Sequence, residues 1–387
     1  MSQFGDGIIS VALPLLVLEI TRNAADLGLV VAARLVPTVA LLLLGGAVTD
    51  RVSRRLAMLT SDASRAAITV TLGLLALSKS LDFAELLVGS ILFGAFDALF
   101  YPASTALLPE LIAAEDLTAG NSLNRFSGAF SGGLLGPIAG GVIASTIGTS
   151  WSLIVDAGTF VFSAGCLIAM RSTPTPSASG TSMLTEIRGG LVYCRRTPWI
   201  LWSIVVAGLA NAFVFSPSAI LLPLLFKRTL HASNFMVGAG FAAVGLGGLT
   251  GALFMIVRPR VKRRVRTMWL AWGCAPLVTV LFGLAPDVWT AVGFAFVVGV
   301  LLMVGNVIWQ TLMQAEVPRD VLGRVSSVDW MVSLGLSPVG VAAAGVVAGL
   351  AGIRTTIVVP GVVIGVTAML VLVVVRSITD LDRHSSK

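Results

Sequence analysis

Histidine is nearly absent from this chain. Its two copies, His231 and His384, fall in a short polar segment and near the C-terminal end. A zinc or haem site within the apolar segments therefore lacks ligands, and no metal is expected. The three cysteines, Cys166, Cys194 and Cys274, show neither metal-ligand spacing nor an obvious disulfide partner. They read as small apolar filler. A phosphate-binding Gly-rich loop ending in Gly-Lys-Ser/Thr is missing, which argues against ATP hydrolysis. An intramembrane enzyme would need a Ser–His, His–Glu or metal constellation at membrane depth, and the histidines lie elsewhere. Charge is scarce as well: 12% of the 387 residues are charged and 56% are hydrophobic. A water-soluble domain cannot cover its surface with so little charge.

What remains is apolar sequence in long runs. A membrane span needs about 20 apolar residues. Twelve candidate spans lie near 3–20, 25–46, 57–78, 84–108, 122–146, 151–170, 198–222, 235–257, 267–284, 288–312, 325–350 and 354–376. The first is short and follows Met1 at once, so the start of helix 1 is expected to be truncated or misassigned. A basic n-region and a small-residue cleavage site are both absent, which makes a signal peptide a poor reading.

The net charge of +7 does not point to nucleic acid, because its distribution explains it. Of the twenty-six Lys and Arg, nineteen fall in segments on one side of the spans. Five (Arg22, Lys79, Lys227, Arg228 and Arg354) fall on the other, and Arg34 and Arg65 lie within spans. This positive-inside bias predicts a multi-pass protein of the cytoplasmic membrane with both termini in the cytoplasm.

A Ser/Thr/Pro-rich stretch between spans 6 and 7 reads as a flexible linker. The expected organisation is an N-terminal six-helix bundle (1–170), a cytoplasmic linker (171–197), a C-terminal six-helix bundle (198–376) and a cytoplasmic tail (377–387). The halves echo each other. The segment from Ile112 before span 5 matches that from Val317 before span 11, an offset of 205 residues (317 − 112). Arg51-Val-Ser-Arg-Arg matches Arg260-Val-Lys-Arg-Arg at an offset of 209 (260 − 51). Two matches at nearly one offset argue for a duplicated six-span unit. The fold class expected is therefore an all-α polytopic membrane protein of twelve transmembrane helices in two pseudo-symmetric bundles.

Between spans 2 and 3 lies a polar block, Gly46-Ala-Val-Thr-Asp50-Arg51-Val-Ser-Arg54-Arg55. This block resembles the signature loop of the major facilitator superfamily of transporters. The similarity covers essentially the whole chain. The helix 1 text Phe4-Gly-Asp6-Gly through Pro14, and Tyr101-Pro102-Ala103 followed by Leu108-Pro109-Glu110-Leu111, resemble its drug and siderophore (enterobactin- or macrolide-type) exporter branch. The resemblance implies a cytoplasmic latch in which Arg51, Arg54 and Arg55 hold Asp50 or a carboxylate such as Asp62, with Gly46 permitting close helix approach. The second-half counterpart has Pro259 at the acidic position and Met255 at the glycine position, so the latch is expected on one side only. Gly136-Pro137 resembles a helix 5 motif linked in the family to antiport.

Ionisable residues within spans are costly, at ~2.5–3.5 kcal/mol each on insertion scales, and so imply a purpose. Asp6 and Asp97 each lie about 21 Å from the outer face at 1.5 Å per residue. The resemblance implies that helices 1 and 4 line a central cavity, which places both carboxylates on one path. Neighbouring carboxylates in a poorly solvated site are what a proton carrier needs. Two other readings stand beside this one: Asp6 as a structural cap or hydrogen-bonding group, and Asp97 as the partner of an arginine. Arg34 calls for a carboxylate, with Asp6 and Glu19 the nearest, or else snorkels outward. Arg65 pairs with Asp62, three residues earlier. The arginine that many drug antiporters carry four residues before a helix 4 glycine is missing; with Gly94 as that glycine the position is Ser90. That departure shifts weight to Asp97.

In the second half the candidate cavity residues are neutral: Asn211, Asn306, Trp309 and Gln310. Asn306 and Gln310 share a helix face, and either contact substrate or hold helices together. Phe100 and Tyr101 are candidate wall residues for an amphiphile. The function expected is proton-coupled efflux of a lipophilic drug, siderophore or secondary metabolite by alternating access. The alternatives are a proton-coupled importer of a small nutrient and a non-transporting membrane sensor. The partners expected are a small-molecule substrate and the lipid bilayer, with no nucleic acid, no cofactor beyond the proton motive force, and a monomeric state.

Overall fold

The computed structural model describes residues 2–49, 53–111, 123–124, 126–170, 183–257 and 263–374. Among these the regular structure is entirely helical. That is the expected outcome for lipid-compatible sequence, since an apolar medium leaves backbone N–H and C=O groups no partner but each other. In chain order the helices are α1 (Ser2–Thr21), α2 (Ala24–Thr49), α3 (Arg54–Leu77), α4 (Phe83–Leu111), α5 (Phe126–Thr146), α6 (Thr149–Ala169) and α7 (Met183–Arg196). They continue with α8 (Pro198–Thr229), α9 (Asn234–Val257), α10 (Arg264–Gly283), α11 (Val288–Glu316), α12 (Arg319–Gly335), α13 (Ser337–Ala351) and α14 (Ile353–Val374). Helices α12 and α13 form one apolar stretch broken at Leu336, two residues before Pro338.

Eleven stretches among the described residues are long and apolar enough to cross a membrane. The expected third span, α3, falls short because it carries Asp62 and Arg65 in its middle. That shortfall marks where the chemistry sits.

The turns α1–α2, α3–α4 and α8–α9 each contain a non-glycine residue at positive φ: Arg22 (53°), Lys79 (59°) and His231 (50°). At α5–α6 and α13–α14 the same role falls to Gly148 (102°) and Gly352 (87°). A left-handed residue ends a helix within one turn, and α2, α4 and α9 then start on the polar caps Asn23, Asp82 and Ser233. Asp82 and Glu85 form a reciprocal capping box at α4, with the Asp82 N–H donating to Glu85 Oε2 at 2.6 Å. Asp287 caps α11 by accepting from the backbone N–H groups of Trp289 and Thr290. Its bonds with Thr290 and Trp289 hold the Asp287 carboxyl below the usual carboxylate range.

The chain packs as two compact units, residues 1–179 with 222–242, and residues 180–221 with 243–387. In the first unit α1 is the central helix, packed against α5 and α6, with Ile8, Val11, Ala12 and Val17 fully buried. Gly128, Gly132, Gly136 and Gly140 line one face of α5 at four-residue spacing. A Cβ at Gly136 would come within 2.6 Å of the Phe4 carbonyl, and one at Gly140 within 2.6 Å of the Ile8 carbonyl. Backbone therefore meets backbone, as small residues allow in lipid. The expected motif residues Gly136 and Pro137 belong to this contact. Pro137 also faces Gly238 of α9 through its carbonyl. Helices α2 and α4 touch at Gly94, where any side chain would overlap the carbonyl of Arg34.

The second unit is built around tryptophans. Trp269 is fully buried, and Trp199, Trp272 and Trp309 pack with Ile200, Met268 and Ile308. Helix α7 lies on α12, where Gly190 meets the backbone of Arg324, and this seals Cys194.

Two outcomes follow from this packing. Gly94→Ala should cost about 1–3 kcal/mol by overpacking, read as a lower thermal unfolding temperature in detergent. An unchanged temperature would show that α2 and α4 separate without penalty. Burial, with the Asp329 charge adding to it, pushes the Cys194 thiol up to about 11. Since thiolate is the reactive form, maleimide at mildly alkaline pH should spare Cys194 until the protein is denatured. Modification in the folded protein would contradict this packing.

Candidate functional site

Five charged side chains from four helices meet in the first unit. Arg65 of α3 is the hub, with 1% of its side chain exposed. Its Nη2 donates to Asp62 Oδ1 at 2.7 Å and its Nη1 to Asp97 Oδ1 at 2.9 Å. The same Nη1 lies 4.0 Å from Asp6 Oδ2. Arg34 of α2 donates to Asp6 Oδ1 at 3.1 Å. A planar fork can serve several carboxylates at once, which an ammonium cannot do with the same geometry.

Aromatic rings enclose the two guanidinium groups. The Phe93 ring centroid lies 4.1 Å from the Arg34 guanidinium and 5.8 Å from that of Arg65. Phe100 and Phe160 lie 4.7 and 4.4 Å from Arg65. Phe93, Asp97 and Phe100 follow helical spacing on one face of α4, so a single helix supplies ring, carboxylate and ring. These faces replace part of the hydration that burial removes. Thr38 and Ser61 fix the register. The Thr38 hydroxyl donates to the carbonyls of Arg34 and Gly94, and the Ser61 hydroxyl donates to that of Phe96.

The carboxylates differ in exposure. Asp62 is fully buried, whereas 32% of the Asp6 side chain and 29% of the Asp97 side chain are exposed. Asp6 opens on a cleft of about 310 Å³ lined by Gln3, Asp6, Gly7, Ser10, Gly128 and Gly132. The α5 wall of this cleft includes a π-helical segment, Ala129–Leu135. Such segments recur at functional sites.

The expected site residues separate as follows. Asp6, Arg34 and Asp97 are brought into one network with Arg65, and Asp6 rather than Glu19 is the partner of Arg34. Glu19 accepts a hydrogen bond from Thr149 instead. Asp62 pairs with Arg65, three residues on, as its spacing predicts, and so joins the buried network. Arg55 caps the end of α6, donating to the carbonyls of Leu167 and Ile168 at 2.6 Å each. Gly46 is helical near the end of α2, Arg54 opens α3, and Asp50 and Arg51 lie outside the described residues.

The Phe100 ring lies over Arg65. Tyr101 is in α4, and its side chain lies outside the described residues. In the second unit Trp309 is a core residue, 6% exposed and donating to Asp329 Oδ2 at 2.9 Å. Asn306 and Gln310 remain exposed on one face of α11, with Asn306 accepting from Trp272 Nε1 at 3.2 Å. Asn211 is half-buried and opens a π-helical turn, Asn211–Phe215.

Sequence reasoning misses one residue. Asp156 of α6 is fully buried beside the network. Its signal is available in the sequence, because it is the only charged residue of an apolar span, as Asp6 is of its own inner half.

Comparison with known proteins bears on this architecture. A family model described as Major Facilitator Superfamily matches residues 1–334. The chain belongs to the major facilitator superfamily. Among curated members, the multidrug efflux pump Tap of Mycolicibacterium fortuitum is 27% identical over 377 residues, covering 94% of this chain and 91% of that protein. The enterobactin exporter EntS of Escherichia coli O1:K1 / APEC is 25% identical over 377 residues, covering 96% and 89%. Among solved structures, a point mutant of the nucleoside transporter NupG aligns with a TM-score of 0.77 at 15% identity, covering 95% of this chain and 96% of that one. A bacterial homolog of the human lysosomal transporter Spinster aligns at 0.76 and 15%, covering 98% and 95%. These structures share the superfamily fold, and the eleven apolar stretches fit a multi-pass membrane protein of that kind.

Removing the hub should expose what it balances. Arg65→Met leaves the fully buried Asp62 without its counter-ion, at a cost of about 3–5 kcal/mol. Asp62→Asn in the same chain should recover much of that loss. Thermal unfolding of both variants in detergent checks this, and equal stability of the single and double variants would refute the pairing as the source of the cost.

Proposed function

We propose that this chain is a secondary active exporter that moves a lipophilic drug, siderophore or secondary metabolite out of the cell in exchange for protons. The observation that carries the coupling is the network of Asp6, Arg34, Arg65, Asp62 and Asp97. It holds three carboxylates against two guanidinium groups, and two of the carboxylates are partly exposed. An excess of carboxylate in a poorly solvated site invites a proton. Export as the direction is supported by the two curated relatives, a multidrug pump and an enterobactin exporter.

In this reading a proton on Asp97 frees Arg65 Nη1 to turn toward Asp6, 4.0 Å away in the present arrangement. Loss of the proton restores the bond to Asp97. Protonation thereby favours one arrangement of α3 against α1 and α4, and substrate favours the other. Coupling is that difference in preference. One proton moving down 100 mV supplies about 2.3 kcal/mol, enough for roughly a 40-fold gradient. No nucleotide or cofactor is required. The exposed Asn306 and Gln310 are the polar substrate contacts in this scheme. The basic excess on one side of the spans supports a cytoplasmic-membrane protein with both termini inside.

The test is dye accumulation in energised inverted vesicles, wild type beside Asp97→Asn, with and without a proton uncoupler. Uptake that collapses with uncoupler and is lost in the variant is the expected result. Uptake that survives both would remove Asp97 and protons from the mechanism. Proton-driven movement of the dye in the opposite direction would make the protein an importer.

A further inference from the structure

We infer that Asp156 of α6 is a second proton-carrying carboxyl of the transport cycle, exchanging its proton with Asp6. The inference rests on the proton-coupled reading above. Among the described residues of the first unit, two carboxyl groups, Asp62 and Asp156, have no exposed surface. Asp62 is ion-paired at 2.7 Å. Asp156 is not: among the described residues no ion pair reaches it, and its Oδ2 has no hydrogen-bond partner. Its Oδ1 receives only a long bond of 3.5 Å from Thr159, whose hydroxyl also donates to the Asp156 carbonyl at 2.8 Å. An ionised carboxylate left in that setting carries a large desolvation penalty without compensation, and a proton on Oδ2 removes it.

The surroundings name the exchange partner. Helix α6 packs against α1, α3 and α5. The described part of α5 has no ionisable side chain. Helix α3 presents Arg65 with Asp62, already bound to each other. Arg34 of α2 is bound to Asp6. That leaves Asp6 of α1, which follows the Gly5 that Asp156 Oδ1 touches and which also opens to a cleft. The backbone is built for this approach. Asp156 Oδ1 and the Thr159 hydroxyl lie so close to Gly5 that any Cβ there would overlap both. Gly5 immediately precedes Asp6, so the absence of a side chain sets the buried carboxyl against the turn that carries the exposed one.

The step is a proton transfer. The O–H bond of Asp156 breaks, an O–H bond forms on Asp6, and the charge moves to Asp156. The neutralised Asp6 loosens from Arg34, then releases the proton to water in the cleft. Loading runs the same path in reverse.

The test uses the full chain in proteoliposomes with ethidium as the probe, wild type beside Asp156→Asn, which keeps shape and removes the titratable proton. The variant should lose the roughly 40-fold proton-driven accumulation. Its ethidium counterflow, which needs substrate binding and alternating access but no net proton movement, should stay within about twofold of wild type. Retention of proton-driven accumulation, or loss of both activities together, would overturn the inference in favour of a structural carboxyl. A wild type that accumulates no probe with a proton gradient would instead sink the proton-coupled reading. A second measurement needs no variant. Dicyclohexylcarbodiimide, which attacks protonated carboxyls in apolar surroundings, should modify Asp156 of wild type in acid and less in alkali, located by peptide mass spectrometry. Failure to modify Asp156 in acid would also overturn it.

Discussion

Arg65 is a guanidinium with almost no access to solvent, in the middle of a helix that must cross lipid. Burial on that scale calls for strong compensation. Asp62 supplies it from the same helix, Asp97 from α4, and Asp6 at longer range from α1. Three phenylalanine faces pack around the guanidinium as well, while its Nε finds no hydrogen-bond partner among the described residues. Moving any of α1, α3, α4 or α6 relative to the others would uncover the charge. The first unit is therefore organised around an electrostatic constraint more than around a hydrophobic one. In lipid that is physically reasonable, because apolar side chains gain little by leaving apolar solvent for each other.

The glycines are the second half of the same arrangement. Glycines bring the backbones that carry these charges into direct contact. Gly94 brings the Arg34 turn of α2 onto the turn of α4 that holds Phe93 and Asp97. Gly5 admits Asp156 beside Asp6, and the glycine face of α5 seats α1 from the other side. Each of these close approaches lies within one or two turns of a charged residue. Close packing here sets charge geometry as well as helix spacing.

The second unit solves its polar problem differently. Its mid-span carboxyl, Asp329, is held by an indole N–H from Trp309 and a hydroxyl from Ser333. No ion pair forms there among the described residues. Trp199 and Trp272 pack edge-on and tilted against Trp309, so the polar atoms are enclosed by rings. The sequence matches between the halves fall in segments flanking the spans, whereas the span chemistry differs: charges in one unit, indoles in the other. Aromatic N–H donors can satisfy a carboxyl, and they offer no second charge state through which a proton could be coupled to motion.

Composition and the positions of Gly, Pro and charge determined that this chain is helical, spans lipid many times and carries acid and base at depth. Those properties are linear: run lengths, the ban on unpaired backbone in lipid, and the cost of each buried charge. They sufficed to mark Asp6, Arg34 and Asp97 and to pair Arg65 with Asp62, since three residues along a helix is a neighbour in space. They did not reveal that Arg65 reaches Asp97, 32 residues away, that Arg55 ends on the carbonyls of Leu167 and Ile168, or that Trp309 turns inward to Asp329. Asp156 escapes a linear reading although its span advertises it, because depth along one helix says nothing of which neighbour a side chain meets. Helix order and facing decide that, and both are set by where glycine lets backbones touch. The sequence determined which charges need compensation; the tertiary structure alone decided which are paired with each other and which, among the described residues, have no ion pair.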